Sequence, residues 1–224
     1  MCHNRLIDRL THAAIRVLRF ALLVLLLPSV GWTDSWPGAM PFQVFSKSAK
    51  YFVRVIPGDS IGDTMGFGRA RKGKYAQALY YALQADRSYK LLHEIKLQNP
   101  VAPVDLLLSD QGQFVTFDNW YNLGYGKVVA IYAASGKLVR SYELGQLYPS
   151  SLQEKIPASV SSRHWRCQPM HFVELAEQKS VYVPEVMGGY FVFTLATGKM
   201  IYTGGARKEC VSPPGPMSQT ILGQ

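Results

Sequence analysis

From about residue 50 onward the chain is written in short runs where apolar residues alternate with polar ones or fill five positions in a row. That period belongs to β-strands rather than helices. Strands are expected over residues 51–56, 75–83, 89–97, 104–108, 113–118, 127–133 and 137–144, with a further run at 190–197. Turn-forming residues separate them, as in Ala85-Asp86-Arg87-Ser88, Ser109-Asp110-Gln111-Gly112 and Ala134-Ser135-Gly136. Four strands joined by such turns between residues 104 and 144 make an antiparallel meander. Within it Val128-Val129-Ala130-Ile131-Tyr132 is apolar on both faces, whereas Leu138-Val139-Arg140-Ser141-Tyr142-Glu143 mixes polar residues into the alternation. An inner strand covered on both sides and an outer strand that is half wet fit a blade of stacked sheets.

The phrasing also repeats. Gly136-Lys137-Leu138-Val139-Arg140 returns as Gly198-Lys199-Met200-Ile201-Tyr202, and more weakly as Tyr89-Lys90-Leu91-Leu92-His93. Unit ends then fall near residues 97, 144 and 205, within the range of blade repeats. The expected fold is therefore all-β: about three antiparallel blade-like meanders forming a partial or open β-propeller-like array. Closed propellers take roughly four to eight blades, so a protein partner or self-association is expected to cover the open ends. One short helix is expected near 146–156, bounded by Pro149 and Pro157 and placed to cap such an end.

The first thirty residues follow a different rule. Arg5, Arg9, Arg16 and Arg19 precede the apolar run Phe20-Ala21-Leu22-Leu23-Val24-Leu25-Leu26-Leu27, which Pro28 ends. This is the basic segment and short hydrophobic helix of an export signal, far below the roughly 20 residues that span a bilayer. Small residues at Ser29 and Gly31 suit cleavage before Trp32. The chain divides into a signal peptide at 1–31, a linker at 32–45, the repeat domain at 46–205 and a flexible, Pro-rich tail at 206–224. The expected location is exported, periplasmic or extracellular; if the signal stays uncleaved, the N-terminal segment becomes a membrane anchor.

Charge adds little. Losing four arginines and one aspartate with the signal takes three from the formal +9 and leaves +6, with Lys and Arg scattered apart from Arg69-Ala70-Arg71-Lys72-Gly73-Lys74. A loop cluster of this size in a mildly basic chain reads as a solvated surface, so no nucleic-acid partner is expected. Of three cysteines, Cys2 lies in the signal, and Cys167 and Cys210 remain as an even pair for an oxidising compartment. A bridge between them closes a loop of about 43 residues, worth roughly 3–4 kcal/mol by chain entropy.

Candidate chemistry is sparse. Gly58-Asp59-Ser60 follows a strand and invites comparison with lipases and esterases that carry a Gly-Asp-Ser-Leu block. Their mechanism needs a His base within reach of the Ser, and no Asp-x-x-His follows in the mature chain. Pro57-Gly58-Asp59-Ser60 therefore reads as a turn. His164, Cys167 and His171 have a spacing that fits no familiar metal site, and a disulfide at Cys167 competes with ligation. No metal, cofactor or catalytic residue is assigned. Phe117-Asp118-Asn119-Trp120-Tyr121 is the densest polar and aromatic cluster, and Asp118, Asn119, Trp120 and Tyr121 are the candidate ligand-binding residues. The competing reading is a blade turn, tied by Asp or Asn bonds to backbone and packed by Trp.

The segment Ser109-Asp110-Gln111-Gly112-Gln113-Phe114-Val115-Thr116-Phe117-Asp118-Asn119-Trp120 resembles a group of exported bacterial proteins without assigned function. Those carry a Ser-Asp-Asp-Gly-(Arg/Lys)-Tyr-Val-Val-Thr-Phe-Asp-Asn-Trp blade, and more broadly the chain looks like a WD40- or quinoprotein-type propeller. The expected function is that of a non-catalytic exported β-repeat protein that binds a protein or extracellular ligand. The alternatives are a hydrolase of glycans or esters at the Asp118/Trp120 loop and a membrane-tethered assembly component.

Overall fold

A computed structural model describes residues 36–64 and 72–205. The expected signal peptide and the tail from residue 206, Cys210 included, lie outside the described residues. Among the described residues there are three four-stranded antiparallel sheets. The first holds β1 (Phe42–Phe45), β2 (Tyr51–Ile56), β3 (Gln77–Leu83) and β4 (Tyr89–Lys96); the second holds β5 (Pro103–Leu108), β6 (Phe114–Asn119), β7 (Lys127–Tyr132) and β8 (Leu138–Glu143). The third holds β9 (His171–Leu175), β10 (Gln178–Pro184), β11 (Tyr190–Thr194) and β12 (Met200–Thr203). Every strand pairs with its sequence neighbours, so each sheet is a local meander.

Register explains which residues are hidden. On β6, Phe114 joins Leu106, Leu108, Ala130 and Tyr132 in a cluster with Val53, Val55, Ala78 and Tyr80 of the first sheet. The alternate positions Val115 and Phe117 join Val129 and Ile131 in a cluster with Val181, Val183, Phe191 and Phe193 of the third. The second sheet is thus the middle layer, covered on both faces, and all six residues of β6 are buried. β8 at its margin is only partly covered, as its mixed pattern anticipated.

The repeated phrases are hairpins. Gly136 donates to Ala133 O and Gly198 to Thr194 O, and Arg87 closes the equivalent turn by donating to Gln84 O. All three sit in the left-handed region, at φ 80°, 68° and 67°. Two of the turns also touch the neighbouring layer. A Cβ added at Gly136 would come within 2.8 Å of Ile95, and one at Gly198 within 2.5 Å of the Arg140 Cβ.

Within 32–45, expected as a linker or an edge segment, Phe42–Phe45 forms β1, the edge strand that pairs with β2 through Phe42↔Val55 to Phe45↔Phe52 and completes the first sheet. Its four residues are too few to show a period. β9 and β10, which had no place in the sequence reading, meet through Ala176-Glu177, both at positive φ (47° and 62°). Such a two-residue turn normally advertises itself with Asn-Gly, and here it does not. The expected helix at 146–156 is two single turns, α1 (Leu144–Leu147) and α2 (Ser150–Gln153). Pro149 cannot donate and holds Tyr148 extended at φ −112°, ψ 143°, which breaks the helix. Leu144, Leu147, Tyr148 and Ile156 belong to the cluster between the second and third sheets, so this segment fills an interior seam and does not cap an end. No helix among the described residues is long and apolar enough to cross a membrane.

Candidate functional site

Asp118 is fully enclosed. At the end of β6 its backbone turns into the left-handed region, at φ 55°, and its side chain is wholly buried. Oδ1 accepts from the Trp165 indole N–H at 2.7 Å and from the Gly124 amide at 2.9 Å. Oδ2 accepts from Arg166 Nε at 2.6 Å, and the same guanidinium reaches Asp105 Oδ2 at 2.6 Å. Burial disfavours the charged guanidinium, but Asp118 and then Asp105 outweigh it and hold the Arg166 pKa above its ordinary value. The guanidinium also lies 5.5 Å from the Phe117 ring centroid. This network joins β5 and β6 to residues 165–166, which run between the second and third sheets.

Asn119 and Trp120 are also buried and bonded, and Tyr121 is half-buried. Asn119 donates to Tyr125 O at 2.6 Å and accepts from Asn99 Nδ2 at 2.9 Å. Trp120 donates its indole N–H to Pro37 O at 2.8 Å and packs edge-on against Trp36, with ring centroids 5.4 Å apart. Tyr121, at φ 74°, stands 6.2 Å from the same Trp36 ring. The segment that precedes β1 is therefore packed onto this loop. Asp118 and Asn119 tie the loop by side-chain bonds to backbone, as a blade turn requires. A hydrolase here would need Asp118 to reach a substrate, and no part of its side chain is exposed.

Asn119 also lines a cavity of about 530 Å³, beside Asp63, Tyr75, Asn122, Tyr125 and Lys127. Lys127 is spoken for there by Glu143 at 2.7 Å. His171 lines a second cavity of about 570 Å³ with Cys167, Pro169, Tyr182 and Tyr190. Among the described residues no group of three or more His, Cys, Asp or Glu is placed to hold an ion, His164, Cys167 and His171 included. Cys167 is buried, its amide donating to Pro184 O at 2.8 Å.

Ser60 is fully buried, and its hydroxyl donates to Asp63 Oδ2 at 2.6 Å while accepting from the Gly73 amide at 2.9 Å. Asp59 Oδ1 accepts from the Lys74 amide at 2.5 Å. The Gly-Asp-Ser turn thus pins the two ends of a loop. Ser60→Ala should leave the Gly73 amide without this partner and cost about 1–2 kcal/mol in urea unfolding; a cost near zero would deny Ser60 this role.

Sequence reasoning missed Arg166, Asp105 and Glu185. Glu185 is a second buried carboxylate, accepting from the Gly189 amide at 2.5 Å, the Met187 amide at 2.8 Å and the Tyr148 hydroxyl at 3.2 Å. An arginine inside the run Trp165-Arg166-Cys167 was the available signal, since an arginine flanked by core residue types calls for buried carboxylates. No protein-family model matches this chain, and no curated protein matches it.

Proposed function

We propose that the chain is an exported, non-catalytic β-repeat protein that acts by binding a protein partner. One observation carries the reading. On the face of the first sheet turned away from the second, Phe45, Phe52, Tyr81 and Leu91 stand opposite one another in a row across all four strands. Phe52 stacks on Tyr81 at 4.4 Å and meets Phe45 at 5.0 Å and Tyr89 at 4.8 Å. Phe45 is nevertheless 41% exposed, Leu83 40% and Leu91 39%. A contiguous aromatic row left in water marks an interaction surface. The likeness of residues 109–120 to an exported blade family and the export-signal pattern of residues 1–31 support the same reading. Pairing of Cys167 with Cys210 belongs to it as well, because an exported chain folds where thiols oxidise.

A photoactivatable benzophenone amino acid at position 91 tests the proposal in cells that export the protein. Irradiation should give a covalent adduct with protein from position 91 and none from position 160, where Val160 is 87% exposed on a loop. On the same material the mature N-terminus should lie near Trp32, and peptide mapping without reductant should recover residues 167 and 210 together. Equal labelling from both positions, or none from position 91, would sink the binding surface; an intact N-terminus would sink the cleaved export form.

A further inference from the structure

The three sheets stack in one repeating relation. The first sheet presents one face to the second, and the second presents its opposite face to the third. Two faces are left over, the outer side of the first sheet and the outer side of the third. The first carries the aromatic row. The third is unusual in another way: the positions that alternate outward on β9 to β12 include no Asp, Glu, Lys or Arg. Among them, Leu175 is 48% exposed and Ile201 51%, with the buried Val192 lying between Ile201 and Tyr182 in register. A sheet face that meets water usually alternates apolar with charged or polar residues, and natural end sheets carry charge to stop further stacking. The outer face of the third sheet lacks that charge, and on the first sheet Arg54, Glu94 and Lys96 stand two and four positions along the strands from the aromatic row, which carries none.

We infer that two copies of this chain close on each other, the outer face of each first sheet packing on the outer face of the partner's third sheet. The step from third sheet to first sheet continues the relation already made twice inside the chain. It is a heterologous contact, and made twice it closes into a ring with one twofold axis. Three sheets fall below the roughly four to eight blades that complete a propeller; two copies supply six, inside that range. The inference rests on the binding reading above and names its partner. It also explains why the aromatic row and the uncharged face occur together in one chain, at its two opposite ends.

Sedimentation or light scattering of the mature exported protein tests it, with Leu91→Arg on the first sheet and Ile201→Glu on the third. Both positions are well exposed within a single chain, so folding is retained; Leu83→Arg replaces Leu91→Arg if the melting temperature falls. The wild type should have twice the chain mass. Each variant alone should run as a single chain, with a dissociation constant raised roughly 30-fold or more. An equimolar mixture of the two variants should recover the dimer. One interface of the mixed pair carries no substitution, and the other brings the introduced arginine against the introduced glutamate.

A wild-type single chain, an open-ended polymer, or a dimer that Ile201→Glu leaves unchanged would each overturn the ring. The last would mean a first-sheet-on-first-sheet pair. Crosslinking from position 91 separates the two levels: an adduct with a different protein keeps the binding reading and ends the ring, and no adduct ends both.

Discussion

Asp118→Ala lowers the unfolding free energy by about 3–5 kcal/mol, the usual cost of removing one partner from a buried ion pair. At roughly 2–4 °C per kcal/mol for a domain of this size, the melting temperature falls by about 6–20 °C. The arithmetic follows from what the truncation orphans. Arg166 Nε, the Trp165 indole N–H and the Gly124 amide all lose their acceptor at a fully buried position, and the guanidinium keeps only Asp105. Asp118→Asn should cost less, because the amide oxygen still accepts and Asn tolerates the left-handed backbone at φ 55°. Combining Asp118→Asn with Arg166→Met should cost more than Asp118→Asn alone, because the largely buried Asp105 then loses the guanidinium that pairs it. Thermal and urea melts of the three variants decide it. A loss of 1 kcal/mol or less in Asp118→Ala would show that the network is solvated and free to rearrange, and would reopen Asp118 as a binding group.

Phe117→Ala has a comparable expected effect, about 3–5 kcal/mol, through a different mechanism. The ring lies in the middle layer, opposite Val129 on β7, and is closed in by the third sheet and by the Arg166 guanidinium. Its removal leaves a cavity between two sheets whose backbones are hydrogen-bonded in place and cannot collapse to fill it. Phe117→Leu keeps much of the volume and should cost less than about 1.5 kcal/mol. If the two substitutions destabilise equally in urea titration, the loss comes from the aromatic ring's contacts and not from the void.

These two neighbours show how the molecule divides its labour. Phe117 and Asp118 are adjacent, and the left-handed backbone at Asp118 breaks the strand alternation, so that both side chains meet the Arg166 guanidinium. One packs the apolar seam, and the other anchors a charged tie that joins β6 to residues 165–166. The sequence marks the pair as unusual, because Phe-Asp-Asn-Trp puts chemistry-bearing groups beside aromatic rings at the end of a strand. Exposed, such a group binds ligands; enclosed, it holds a loop. Residue types and spacing are the same in both cases, and what differs is whether Arg166, 48 residues later, arrives to neutralise the carboxylate.

The all-β class, the meander, the two-faced burial of β7 and the repeated Gly-Lys hairpins were legible in the chain, because each depends on residues a few positions apart. Strand period, turn chemistry and local pairing are short-range physics, and they act before any sheet meets another. β1, β9 and the broken helix were less legible. A four-residue strand has no measurable period, Ala176-Glu177 carries no turn signature, and Pro149 acts on a segment whose apolar residues otherwise suit one helix.

The sequence by itself thus determined the all-β class, a count of about three meander units and the build of the second. Tertiary structure alone decided that the second layer lies in the middle, that Asp118, Asn119 and Trp120 face inward, and that the two outer faces carry an aromatic row and an uncharged surface. The physical reason is range. Burial, ion pairing and exposed faces depend on which layer is packed against which, and those partners are separated by tens of residues along the chain.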